Sequence, residues 1–168
     1  MKKGFTMIEL IFVMVVLGIL ASVAIPRLAG TREDAEITTG IANIRTLLSD
    51  ITVFYVAKGN FNGTKWRDIT NVPLSSATGN AVNGSTASAK LKAGGKDCIG
   101  VRLVNKAGAV PAHIVFSKES NGGSVCTQVQ DSDPVKKAYL DSKVSYTDKN
   151  QAKTIQNAIA IGSTTSVY

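Results

Sequence analysis

The sequence predicts an α+β fold in which a long, kinked N-terminal α-helix packs on an antiparallel sheet of three or more strands. Three observations predict it. An apolar run from Phe5 to Ile25 continues into a stripe of Ile37, Ile41, Ile44, Leu48, Ile51 and Tyr55, whose spacings of 4, 3, 4, 3 and 4 mark one face of a helix. Strand-like segments with turn residues between them cluster from about residue 97 to 129. Between these regions, residues 59–95 are rich in Gly, Asn, Ser, Thr and Ala and hold no sustained period of either kind.

The helix is expected to run nearly unbroken from about Phe5 to Ala57, a length of roughly 80 Å at 1.5 Å per residue. Pro26 falls in its interior, where it removes a backbone hydrogen bond and clashes with residue 22, so a kink is expected there. Gly18 and Gly30 weaken the helix on either side. Lys58-Gly59 supplies a late positive charge and a stop. The first half is apolar around its circumference and belongs in lipid or among other copies of itself. The second half has one apolar stripe and must lay it on the rest of the chain.

In the connection 59–95, the residues Phe61, Trp66, Ile69, Val72 and Leu74 are candidates to pin the chain to the core, and Ser75 to Ser88 reads as an exposed loop. Cys98 to Val104 alternates with Ile99, Val101 and Leu103 on one face; Pro111 to Phe116 reads as a second strand and Ser124 to Val129 as a third, with turns at Asn105–Gly108 and Asn121–Gly123. Asp133-Pro134 is a helix start. A short strand is expected at 143–146, and Asp148 is a candidate cap for a short helix over 149–159.

The N-terminal stretch admits three readings. A secretory signal peptide has basic, apolar and small-residue regions, but leaves Glu9 unexplained. A plain membrane anchor needs about 20 apolar residues; it explains the length, though again not the carboxylate, which costs about 2.5–3.5 kcal/mol at the centre of an inserted helix. The third reading explains both. Gly4-Phe5-Thr6-Met7-Ile8-Glu9 resembles the cleavage motif of type IV prepilins and the related type II secretion pseudopilins. Gly18 and Pro26 stand where that family has these residue types, and Met7 replaces the commoner Leu. The resemblance implies a type IV pilin-like fold. It also implies that a prepilin peptidase cuts between Gly4 and Phe5 and methylates the new amine of Phe5, and that Glu9 faces the amine of a neighbouring subunit. The expected organisation is a cleaved leader at 1–4, a transmembrane and filament-core helix half at 5–26, an amphipathic half at 27–58 and a globular head at 59–168.

Nineteen Lys and Arg against twelve Asp and Glu give a net charge of +7. The basic residues are scattered, so the charge favours anionic surfaces generally without identifying nucleic acid as a partner. The basic leader is expected to stay on the cytoplasmic side, which places the rest of the chain outside. There Cys98 and Cys126 most simply pair, with two separate buried thiols as the alternative. Catalysis finds little support. His113 is the only histidine and reads as a partly exposed strand residue, and Gly94-Gly95-Lys96-Asp97 lacks the earlier glycine and the hydroxyl residue of a phosphate loop. Asn62-Gly63-Thr64 and Asn83-Gly84-Ser85 match glycosylation acceptors. Major pseudopilins bind calcium near the carboxyl end, which makes Asp131 and Asp133 weak calcium candidates; the full oxygen set that calcium takes is not legible.

The functional expectation is a non-enzymatic structural subunit, held in the bacterial inner membrane with its head in the periplasm. It polymerises through its N-terminal helix into a type IV pilus or a type II secretion pseudopilus. Its expected partners are other copies, prepilin peptidase, the inner-membrane assembly machinery and minor pilins or pseudopilins. A DNA-uptake apparatus and a monomeric membrane-anchored extracytoplasmic binding domain are the alternatives.

Overall fold

The structure, a computed structural model, describes residues 4–75 and 87–162. The chain divides into two compact units, Met1–Ala35 and Glu36–Tyr168. Helix α1 (Met7–Lys58) contributes to both and carries Pro26 in its interior.

In the first unit the described chain is residues 4–6, without regular structure, followed by α1. Its apolar side chains lie open: Phe12 is 69% and Leu20 61% exposed. Side chains of this kind each lose about 1.5–3 kcal/mol of burial when left in water, so the unit requires lipid or other protein around it. This helix is long and apolar enough to cross a membrane.

In the second unit α1 buries Gly40, Ile44, Leu47 and Ile51. Ile37, Ile41, Leu48 and Tyr55 pack at the margins of the core. The buried line is therefore turned by about one residue from the expected stripe, with Leu47 rather than Leu48 at its centre. After α1 come a one-turn helix α2 (Trp66–Ile69) and then β1 (Leu74–Ser75), β2 (Ala87–Ala93), β3 (Lys96–Val104) and β4 (His113–Lys118). Helix α3 (Gly123–Asp131) and the short α4 (Asp133–Val135) follow, α4 running into a π-helical turn, Lys136–Leu140. The chain then forms β5 (Lys143–Asp148), β6 (Gln151–Gln156) and β7 (Ala158–Ala160).

The main sheet has five strands in the order β1-β2-β3-β4-β7, every neighbouring pair antiparallel. Register sets its faces. Ala87 pairs with Leu103, Ala89 with Val101 and Leu91 with Ile99, while Leu103 and Val101 pair with Ile114 and Phe116. Side chains alternate across a strand, so these apolar residues share one face, and with Ile44, Leu47 and Ile51 they form the core. The β2–β3 hairpin turns through Gly94 and Gly95, both at positive φ, the backbone that a two-residue hairpin loop requires. Strands β5 and β6 form a separate two-stranded ribbon.

Three sequence expectations change. Ser124 to Val129 is not a third strand but the centre of α3. Val125, Cys126, Val129 and Gln130 are its buried residues, a spacing that suits a helix as well as a short strand. The tertiary tie through Cys126 overrides the strand preference of Val and Thr. Residues 149–159 are not a helix but the β6–β7 segment. Lys149 and Asn150, both at positive φ, turn the chain back so that Asp148 pairs with Gln151, and Asp148 begins a hairpin instead of capping a helix. The sheet is not confined to 97–129, because β1 and β2 fall inside the expected loop 59–95 and β7 closes the opposite edge. Most of the expected loop Ser75–Ser88, and Asn83-Gly84-Ser85 with it, lies outside the described residues.

Candidate assembly site

Gly4 and Phe5 are exposed and precede α1 in the non-helical segment 4–6. The helix start follows from local chemistry. The Thr6 carbonyl accepts the first helical bond, from Leu10 N–H at 3.3 Å. The Thr6 backbone N–H and hydroxyl donate to Glu9 Oε2 at 2.8 and 2.7 Å, while Glu9 N–H donates to Thr6 Oγ1 at 3.4 Å. This is a reciprocal capping box, in which a Thr and a Glu three residues apart satisfy backbone donors that a helix start leaves unpaired. Thr6 is thus an intrachain partner for the Glu9 carboxylate, which the resemblance alone pairs with the amine of a neighbouring subunit. The Thr-x-x-Glu spacing signals the box in the sequence alone, but the apolar run around it drew the reading toward a second chain.

Farther along, Gly18 has no neighbouring side chain within 4 Å of where a Cβ would stand. Four residues on, the Ser22 hydroxyl donates to the Ile19 carbonyl at 2.7 Å. Pro26 follows within the same helix.

In the second unit Cys98 and Cys126 form a disulfide, with their Cα atoms 5.3 Å apart. Its setting is a designed gap. A Cβ on Gly122 would collide with the Cβ and Sγ of Cys126, so only glycine fits one turn before the cystine. The single histidine is buried, not partly exposed: His113 is 4% exposed and its Nδ1 lies 2.8 Å from the Pro111 carbonyl. It is a structural residue of β4.

Asp131 and Asp133, the calcium candidates, stand at the end of α3 and the start of α4. Each carboxylate is met by a lysine, Asp131 by Lys118 and Asp133 by Lys137, both at 3.4 Å. No group of three or more His, Cys, Asp and Glu able to hold a metal occurs among the described residues. In the acceptor sequence Asn62-Gly63-Thr64, the Asn62 side-chain oxygen accepts from Asn105 Nδ2 at 2.8 Å, and Asn105 Oδ1 accepts from Phe61 N–H at 2.9 Å. These asparagines hold the turn after α1 onto the end of β3.

One polar cluster was missed in the sequence because strand pairing assembles it from distant segments. Lys90 Nζ donates to Glu119 Oε2 at 2.9 Å and lies 3.9 Å from Asp97 Oδ2, while the Ser75 hydroxyl donates to Asp97 Oδ1. The hydrogen bond to Glu119 holds the Lys90 ammonium above its ordinary pKa, and the charges of Glu119 and Asp97 act in the same direction against burial. Gly100, which faces Lys90 across the ladder, leaves room for Ser117, whose hydroxyl a Cβ there would strike.

Comparison with known proteins agrees with the N-terminal geometry. Residues 1–25 match the family described as Prokaryotic N-terminal methylation motif. The chain is 31% identical over 64 residues to Type II secretion system core protein G of Pectobacterium carotovorum subsp. carotovorum, covering 38% of this chain and 41% of that protein. The same protein of Dickeya chrysanthemi is also 31% identical over 64 residues, covering 38% of this chain and 42% of the relative. That of Escherichia coli (strain K12) is 32% identical over 53 residues, covering 32% and 37%. The chain thus spans about two fifths of the length of the curated relatives it matches. No solved structure matches. With the long helix α1 and the five-stranded antiparallel sheet, these matches establish that the chain carries a prepilin-type N-terminal methylation motif on an α+β pilin-like fold and resembles the type II secretion pseudopilins.

Proposed function

We propose that this chain is a structural subunit of a type II secretion pseudopilus. The observation that carries the proposal is the N-terminal motif: Gly4-Phe5 exposed and non-helical, Glu9 three residues beyond Thr6, and an open apolar helix behind them. Similarity to core protein G favours a secretion pseudopilus over a surface pilus or a DNA-uptake fibre.

On this reading the precursor sits in the inner membrane through residues 5–26. The leader 1–4 lies on the cytoplasmic side and the head 59–168 in the periplasm, joined by the amphipathic half 27–58. Prepilin peptidase removes Met1–Gly4 and methylates Phe5. The inner-membrane machinery then draws the subunit into a helical filament with other copies and minor pseudopilins. Apolar side chains exchange lipid for equivalent helices, and Gly18, Ala21 and Ala24 permit close approach. Glu9 sets the stagger of this packing. Both Thr6 donors fall on its Oε2, and an ionised carboxylate has further acceptor sites on its second oxygen. A neighbour's Phe5 ammonium can therefore add to the capping box without displacing it. A pair formed between chains in a medium of low polarity selects register even where its net stability is small.

The test separates processing from assembly. Glu9→Ala should be cleaved at Gly4-Phe5 but give little or no sedimenting filament. Filaments from Glu9→Ala at normal yield would overturn the assigned role of Glu9. An uncleaved wild-type chain would overturn the pseudopilin reading itself.

A further inference from the structure

We propose that Gln130 is a positioning residue for cystine formation: its buried carboxamide docks α3 against β3 without help from the sulfur–sulfur bond and so presents Cys126 to Cys98 for the step that closes it. Gln130 is 8% exposed, one of three buried polar residues of the described chain. Its Nε2 donates to the Cys98 carbonyl at 2.7 Å and to the Glu119 carbonyl at 3.1 Å, and lies 3.2 Å from Cys126 Sγ. A carboxamide nitrogen has two hydrogens, so the two carbonyls engage both and the sulfur rests beside them. The Cys98 carbonyl also accepts Glu119 N–H at 3.0 Å. One side chain of α3 thus joins the helix to β3 and to the residue that follows β4.

Neither carbonyl bond depends on the sulfur–sulfur bond, so both can form while the thiols are reduced. Residues one helical turn apart share a face, and on this face of α3 Gly122, Cys126 and Gln130 follow in register. Gly122 leaves the space that Cys126 Sγ fills, and Gln130 ties down the other side. Both cysteines are buried, Cys98 at 0% and Cys126 at 1% exposed. An external oxidant therefore exchanges with the undocked helix, and docking completes the intramolecular step. In the first exchange one protein thiolate attacks a disulfide oxidant, forming a mixed disulfide and releasing one oxidant thiolate. The other protein thiolate then attacks the protein sulfur of the mixed disulfide and expels the second oxidant thiolate. The protein loses two protons and two electrons, and the oxidant disulfide becomes two thiols. Gln130 acts on the second attack, by raising the effective concentration of one sulfur at the other.

The experiment equilibrates the full-length protein in detergent with mixtures of reduced and oxidised glutathione and quantifies dithiol and disulfide forms after acid quench. Gln130→Ala and Gln130→Glu should both lower the effective concentration of the thiol pair about three- to tenfold, the size of one or two hydrogen bonds. Gln130→Glu keeps the shape and loses the donors, so its agreement with Gln130→Ala assigns the effect to the amide hydrogens. An unchanged thiol–disulfide ratio in both variants, whatever their stability, overturns the proposal. Should either variant fail to fold when reduced, deuterium exchange on a Cys98→Ser/Cys126→Ser chain with Gln130 intact decides the matter. Protected α3 amides support docking without the sulfur–sulfur bond, and unprotected ones overturn it.

Discussion

At the start of α1 a carboxylate set in an apolar run is first satisfied within its own chain. The box formed by Thr6 and Glu9 occupies the helix start through Glu9 Oε2; on the proposed function, Oε1 is the oxygen offered to a second subunit's amine. Thr6→Val removes both hydroxyl bonds of the box and keeps the one from the Thr6 backbone N–H to Glu9. It should reduce filament yield less than Glu9→Ala does, as sedimentation of both variants would measure; loss of such a cap costs about 1 kcal/mol. Gly40 illustrates a glycine set by packing. A Cβ there would stand 3.2 Å from Val129 Cγ2 and 3.4 Å from the Ala93 Cβ, so α1 approaches α3 and β2 closely here. Gly40→Val should destabilise the head by about 1–3 kcal/mol, read as a lowered Tm with the disulfide intact. Tyr139 supplies a pH signature. Burial raises its hydroxyl above the ordinary value of 10.0, while the charge and hydrogen bond of Arg45 pull the other way. A group whose folded pKa is raised contributes stability that is present below its unfolded value and lost as pH climbs through the folded one. Thermal stability should fall above pH 10.0, and Tyr139→Phe should reduce that fall.

Among the elements, those with long, consistent periodicity were legible. The apolar run from Phe5, the 4-3-4-3-4 stripe and the Lys58-Gly59 stop together placed α1 to within a residue or two of Met7–Lys58, and alternation of Ile99, Val101 and Leu103 placed β3. The short segments were not, because their structure is decided by distant partners. Residues 124–129 hold few apolar positions, too few to distinguish a period of two from one of 3.6; they lie in a helix held to Cys98 and Glu119 through Gln130 and the cystine. Residues 151–156 have helix-forming Gln, Ala and Lys, yet pair along their whole length with β5. The Lys149-Asn150 turn lacks the glycine that usually marks such a hairpin. Of the candidate site, the N-terminal motif and the cysteine pair were readable from residue types and spacing. The Lys90–Glu119–Asp97 cluster was not, since three strands and their exits build it. The cystine is the element whose loss should cost most. Cys98→Ser/Cys126→Ser should remove about 3–4 kcal/mol in the chain-entropy account, measured by denaturant unfolding of the full chain in detergent.

For the whole molecule, the division at Ala35/Glu36 separates two burial problems that one helix serves. The second unit closes its own core from α1 and five strands. The first leaves its apolar side chains exposed. A subunit with these two parts suits a life in two states, stored in a membrane and polymerised in a fibre, and the proposed function joins them through cleavage at Gly4-Phe5. The most direct test is the intact mass, with N-terminal fragmentation, of the chain purified from its native membrane. The account predicts a chain that begins at Phe5, carries one methyl group on its amine and lacks the two hydrogens of a reduced Cys98–Cys126 pair. A chain that retains Met1–Gly4, or that begins at Ile25 because a signal peptidase has cut after the small residues Ser22-Val23-Ala24, contradicts it.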